Sequence, residues 1–286
     1  MTEPGTGSGG RWGRWGSLGR IRWAWSARDA ADGGRLALGT LTVFPVRVQR
    51  VNRTAAGWAM TLSPAAGLLL GAVAGAVLFL AGLTSMSPLL GAALAIGALA
   101  LLTRGLHLDG LADLADGLGS ARPAGEALDI MKRSDIGPFG VVTLVMVLLV
   151  QVLALGDIAA TSSVAAVGAV VVATMSGRLA ITWSCTPRTR PAREEGLGAL
   201  VVGSVPVGAA ITTTGAVALL AGLTGLPHSA AFALSCVAAV AGGQLAATAL
   251  RWHAKRRLGG ITGDVLGALC ETATTTPLVI LAALTA

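Results

Sequence analysis

The twenty residues Pro64–Leu83, PAAGLLLGAVAGAVLFLAGL, carry no ionisable side chain, and their reading decides the fold class. A run of about 18 or more apolar residues fits a membrane span, because roughly 20 helical residues cross the hydrocarbon core. A single run of this kind would also suit the core helix of a soluble protein. The pattern recurs, however, giving spans near 64–84, 87–103, 136–156, 160–183, 197–223, 229–250 and 264–285, and a soluble core does not hold seven such helices. Composition agrees. Of 286 residues 53% are hydrophobic and 12% charged, against about 25% charged in an ordinary soluble domain, too few to cover a water-facing surface. The expected fold is all-α, a polytopic integral membrane bundle of about seven transmembrane helices.

Outward from that stretch, the glycines and alanines of Gly67–Gly75 read as packing positions, since small residues let helix backbones approach closely within a bilayer. The shorter stretch Leu36–Val48, interrupted by Pro45, reads as interfacial or re-entrant. Residues 1–35 form a Gly-, Arg- and Trp-rich tail with no apolar region long enough for a signal peptide, expected to be disordered or to lie on the headgroups. Cys185, Cys236 and Cys270 are far apart with no metal-ligand spacing, and read as small packing residues.

Charge sets the orientation. The 21 Lys and Arg residues fall in four groups: Arg11–Arg53, Arg104–Arg133, Arg178–Arg193 and Arg251–Arg257. The connections around 84–87, 156–163 and 225–229 hold none. Lys and Arg concentrate in cytoplasmic loops, so seven alternating spans put every basic connection inside, with the N-terminus cytoplasmic and the C-terminus outside. The net charge of +7 is thus a topology signal, with contact to membrane lipids second and nucleic acid excluded as a partner.

Acidic residues are scarce, 14 in all, and six of them, Asp109, Asp113, Asp116, Glu126, Asp129 and Asp135, share one basic connection. On a helix Asp113 lies about 40° to one side of Asp109 and Asp116 about 20° to the other, so the three carboxylates form one stripe. Gly110 and Gly117 form a bare stripe beside it, open to a ligand or another helix. Like charges at this spacing repel, which a bound cation would relieve. All-oxygen donors favour a hard ion such as Mg²⁺ or Mn²⁺. The opposing reading is a solvated acidic face.

Other residues converge on the same side. Arg188, Arg190, Arg193, Glu194 and Glu195 occupy one connection; Gly259-Gly260-Ile261-Thr262-Gly263-Asp264 opens the last span with backbone N–H groups able to cradle phosphate. Asp264 and Glu271, seven apart, share a helical face, and a carboxylate inside a span is a functional candidate by default. Arg178 reads either as a phosphate clamp or as a side chain snorkelling to the interface.

These motifs together resemble the cobalamin synthase family, the adenosylcobinamide-GDP ribazoletransferases. The resemblance is carried by His107–Gly119 as the H-x-D-G-x-A-D-x-x-D-G block, by Leu128–Lys132, Ile136–Gly140, Glu195–Gly198 and Leu258–Gly267, and by Glu271. It covers the chain from about Leu36 onward. Arg133-Ser134-Asp135 departs from it with exchanged charges that would keep an ion pair, and Leu114 replaces a common Thr. The resemblance implies a Mg²⁺-dependent membrane transferase. It would join α-ribazole, or its 5′-phosphate, to adenosylcobinamide-GDP with release of GMP, late in vitamin B12 assembly. It also implies a single catalytic domain over 36–286, with the active-site loop at 104–140 on the cytoplasmic face of the plasma membrane, and a homo-oligomer is compatible with it. On this basis Asp109, Asp113 and Asp116 are assigned as metal ligands, one of them alternatively the base. Asp264 joins the catalytic group with His107, which lies off the stripe and contacts substrate or caps the segment. Gly110, Gly117, Lys132, Arg178, Arg193, Gly260, Gly263 and Glu271 are assigned to substrate. Two rival readings are a CDP-alcohol phosphotransferase, whose Asp-Gly motif is spaced differently, and a cation-coupled transporter, which would hold its acids near the bilayer midplane.

Overall fold

The computed structural model describes residues 27–48 and 50–285. Twelve α-helices account for the regular structure of these residues: α1 (Ala27–Leu41), α2 (Arg53–Thr61), α3 (Ser63–Gly82), α4 (Pro88–Leu102), α5 (Leu106–Gly119), α6 (Ala124–Ile130), α7 (Pro138–Thr161), α8 (Ser163–Ser184), α9 (Leu197–Val201), α10 (Val207–Gly225), α11 (Ala230–Leu258) and α12 (Gly263–Thr285). Six of them, α3, α7, α8, α10, α11 and α12, are long and apolar enough to cross a membrane. At 1.5 Å per residue, α4 with 15 residues is shorter, and it meets α5 at a bend of 88°. Counting that bent pair brings the total to seven.

Helix α8 is the axis of the bundle, with almost every residue buried. Small residues make this dense packing possible. A Cβ on Gly67 or Gly71 of α3 would lie 2.5 Å from the Thr174 carbonyl oxygen or 2.7 Å from the Val171 Cα. On the opposite side Gly177 meets Cys270 and Thr274 of α12. Helices α7 and α10 keep largely unburied apolar faces, the arrangement expected where lipid supplies the other half of the packing. With the spans alternating in direction, α5, α6, α9 and the α11–α12 turn gather at one end of the bundle.

The sequence boundaries are corrected in four places. The span expected at 197–223 is broken: Gly203 is left-handed (φ 76°) and Pro206 precedes α10, so residues 197–201 form a separate short helix. Helix α11 runs eight residues past 250, through the basic cluster, until left-handed Gly259 (φ 78°) ends it. The third span extends to Thr161 and takes in Asp157; the break before α8 falls at Ser162, whose hydroxyl caps Ala165. In the stretch read as interfacial or re-entrant, residues 36–41 are the last turns of α1. The boundary at 36 falls inside α1, which packs on α2 through Gly33 against Trp58. The expectation for the tail lies outside the described residues as far as 26.

Candidate active site

Helix α5 carries the carboxylate stripe, and its placement begins with two consecutive left-handed residues, Arg104 (φ 55°) and Gly105 (φ 67°). They swing the chain off α4, a conformation costing an ordinary L-residue roughly 1–2 kcal/mol. Once turned, α5 lies against α12 backbone to backbone. A Cβ on Gly110 would sit 2.7 Å from the Asp264 carbonyl oxygen, and one on Gly267 would sit 3.1 Å from that of His107. Of the two occupants the sequence left open for Gly110, the structure supplies the helix. Gly117 likewise faces Met131, whose Cγ would be 2.6 Å from an added Cβ.

The three stripe carboxylates meet different surroundings. Asp109 is exposed and Asp113 half-buried, whereas Asp116 is 8% exposed. Asp116 accepts hydrogen bonds from the Gly137 N–H at 2.7 Å and the Gly140 N–H at 2.9 Å. Both oxygens thus cap the N-terminus of α7, whose first N–H groups lack partners within the helix. These two bonds hold α5 against α7 and set Asp116 apart from Asp109 and Asp113. Asp113 instead faces Asp109, Asp264 and Asp116. Burial first, and then these three carboxylates, push its pKa up to about 7, with Arg193 opposing.

Two connections complete the site. Residues 190–192 run alongside Ile261, with the Ala192 N–H bonded to the Ile261 carbonyl and the Ile261 N–H to the Arg190 carbonyl, both at 3.0 Å. Gly260 permits this, because a Cβ there would stand 2.6 Å from the Ala192 nitrogen; its bareness serves the neighbouring chain. Thr262 caps α12 by accepting the Val265 N–H at 3.3 Å, and its hydroxyl donates to Asp264 Oδ2 at 3.2 Å. Arg193 stands 3.8 Å from the same oxygen and donates to the Leu128 carbonyl at 2.5 Å, so one guanidinium ties three connections together.

These elements enclose a cavity of about 250 Å³. His107, Asp109, Arg193, Glu195, Thr262 and Asp264 supply its polar lining, and Gly196, Gly198 and Gly263 leave room on one wall. Of the residues assigned to substrate, Arg193 and Gly263 line it. Lys132 is exposed between α6 and α7 and does not. Arg178 and Glu271 do not line it either. At 3% exposed Arg178 is no snorkelling side chain, and it lies within the bundle with Glu271, Cys270 and His107. Single ligand atoms of His107, Cys270 and Glu271 lie within 4.8 Å of one another. Both ring nitrogens of the buried His107 lack a hydrogen-bond partner, so it does not cap α5. Glu271 accepts from Gln151 Nε2 at 2.9 Å. Among the described residues no ion pair joins Arg133 to Asp135.

Sequence reasoning missed Gln151, Thr262 and Glu195 as site neighbours. Gln151 was visible as the lone amide in an otherwise apolar run; the other two sit inside motifs already singled out.

The family model described as cobalamin-5-phosphate synthase matches residues 33–282. The chain belongs to this family. A Frankia casuarinae protein named adenosylcobinamide-GDP ribazoletransferase is 42% identical over 87% of this chain and 93% of its own length. A Nocardioides protein of the same name is 39% identical over 85% and 94%, and one from Klebsiella pneumoniae is 41% identical over 73% and 80%. No solved structure gives a significant match. The cobalamin-5-phosphate synthase match takes in every residue of the cavity and stops short of α1's first turns, so the site described here belongs wholly to the shared part of the chain.

Proposed function

We propose that this protein is an adenosylcobinamide-GDP ribazoletransferase acting from the cytoplasmic face of the plasma membrane. The observation that carries the reading is the convergence of Asp109 and Asp264 on one cavity, with Asp113 crowded against both and Arg193 alongside. The crowded carboxylates call for a cation, and a pyrophosphate that binds together with Mg²⁺ would bring one. Helix α12 begins at the same place, with Gly263 and the N-terminal N–H groups at the cavity wall, where anions are favoured.

A ribose hydroxyl of α-ribazole, or of its 5′-phosphate, attacks the phosphorus nearest the cobinamide. A new O–P bond forms, the bridging P–O bond of the pyrophosphate breaks, and GMP leaves with that electron pair. Asp264, anchored by Thr262 and facing the cavity across from Asp109, is placed to take the hydroxyl proton. Arg193, within reach of Asp264, balances charge on the departing phosphate. Positioning and electrostatics of this kind carry most of phosphoryl transfer.

The donor set fits Mg²⁺. Asp109 and Asp113 offer hard oxygen atoms, burial and then repulsion from the neighbouring carboxylates raise the Asp113 pKa, and neither carboxylate is taken up by a salt bridge among the described residues. Asp109 and Asp113 would hold the ion, and it would neutralise the pyrophosphate. The His107–Cys270–Glu271 group, with nitrogen and sulfur donors, does not suit a hard ion. Orientation follows the basic connections, and Trp252 with Arg256 stacked 4.4 Å over its ring supplies an interfacial anchor of the type found beside headgroups.

The test is turnover by purified protein in detergent with adenosylcobinamide-GDP, α-ribazole and Mg²⁺, following corrinoid product and GMP together. Equal amounts of both are expected. GMP without corrinoid product, or neither, would overturn the assignment.

A further inference from the structure

Two concavities meet at Asp109. One is the enclosed cavity of about 250 Å³; the other is a more open groove of about 610 Å³ lined by Arg104, Gly105, Leu106, Asp109 and Leu144. Asp109 and Leu106 belong to both. The enclosed cavity is lined on its apolar part by Leu41, Met60, Ile181, Ile261 and Leu266, contributed by α1, α2, α8, the α11–α12 turn and α12, all of them buried.

Size separates the two substrates of the proposed reaction. Pockets for drug-sized ligands run from roughly 300 to 1,000 Å³, so the enclosed cavity suits a single nucleoside and is far too small for a corrinoid macrocycle carrying a nucleotide. Chemistry separates them too. An aromatic base matches the apolar lining, and ribose hydroxyls match the polar groups of the same cavity. His107 also lines the cavity, with both ring nitrogens buried. The groove, by contrast, is wide, open and carries Arg104, suited to an anionic group on a large molecule.

We propose that the enclosed cavity is the α-ribazole subsite, and that the corrinoid stays outside in the Arg104 groove, presenting only its pyrophosphate at Asp109. This rests on the transferase reading above. It makes Met60 and Ile181, which belong to none of the motifs singled out in the sequence, determinants of which nucleoside base is accepted.

The experiment varies each substrate against Met60→Trp and Met60→Ala. Filling the cavity with Met60→Trp should raise the KM for α-ribazole by about ten-fold or more, the scale of a hydrophobic-pocket mismatch, and leave the KM for adenosylcobinamide-GDP unchanged. Emptying it with Met60→Ala should shift kcat/KM by about ten-fold toward an α-ribazole analogue whose base carries an extra fused ring. This second arm is a gain that misfolding cannot mimic, and it decides the matter if the Trp variant does not fold. An unshifted preference in Met60→Ala, or a raised KM for the corrinoid with that for α-ribazole unchanged, would overturn the subsite assignment while leaving the transferase intact. Wild-type protein that turns over neither substrate would instead remove the reading beneath it.

Discussion

Replacing Asp116 by Asn separates a structural carboxylate from a metal-binding one. Asp116 now accepts two backbone N–H bonds at 2.7 and 2.9 Å from Gly137 and Gly140. An amide keeps one acceptor oxygen, so one bond survives in neutral form. Its NH₂ group then faces the other N–H, donor against donor, at a site 8% exposed. Hydrogen bonds to charged groups contribute about 1.5–3 kcal/mol and an unpaired buried donor costs about 1–3 kcal/mol. N-cap losses alone fall at about 0.5–2 kcal/mol. These overlap rather than add, and we expect Asp116→Asn to lose about 2–3 kcal/mol of stability. Asp109→Asn, at an exposed position with no such bonds, should lose none. The assay is thermal unfolding in one detergent, metal-free and then with Mg²⁺. A ligand that binds only the folded state raises apparent stability, so Asp109→Asn should lose the Mg²⁺-induced gain and Asp116→Asn should keep it from a lower baseline. An Asp116→Asn protein as stable as wild type in metal-free buffer, but unresponsive to Mg²⁺, would refute the capping argument and restore Asp116 as a ligand.

Other outcomes follow from the same geometry. Single cysteines at Arg122 or Arg190, introduced into a cysteine-free background, should be labelled only from the cytoplasm, and those at Met86, Thr161 or Pro227 only from outside; reaction of Arg122→Cys and Met86→Cys from the same face would break the alternation. In metal-free buffer stability should fall as pH rises from about 4 to about 7: Asp113 is pushed from 3.8 up to about 7 in the folded protein, so folding favours its protonated form, and ionising it costs stability across that window. Asp113→Asn should flatten this slope in pH-dependent unfolding, and an unchanged slope would show that another group is responsible.

The fold class was legible because an apolar run is a local property, readable at Pro64–Leu83 without knowing any neighbour. The errors arose where the same averaging hid a local break. Gly203 turns the chain in a left-handed conformation and Pro206, lacking an N–H, opens the next helix, yet both sit comfortably in an apolar window, so residues 197–223 read as one span. Conversely, the basic residues 251–257 lower hydropathy without interrupting a helix, and α11 runs through them.

The site was legible in part for a related reason. Helical periodicity correctly put Asp109, Asp113 and Asp116 on one face of α5, because the face a side chain leaves from depends on its own few neighbours. What each carboxylate meets depends on segments far along the chain. Asp116 meets Gly137 and Gly140 of α7, Asp113 meets Asp264 of α12, and Gly110 meets the backbone beneath Asp264. The same argument covers Cys270. Judged by sequence spacing it lacked metal-ligand partners, since such rules assume ligands close in the chain, but α5 and α12 bring its sulfur beside His107 and Glu271. Arg178 shows how the two kinds of information combine. An ionisable residue within an apolar run marks itself as functional by its cost alone. Its surroundings come from the fold: at 3% exposed it does not snorkel, and it does not line the cavity.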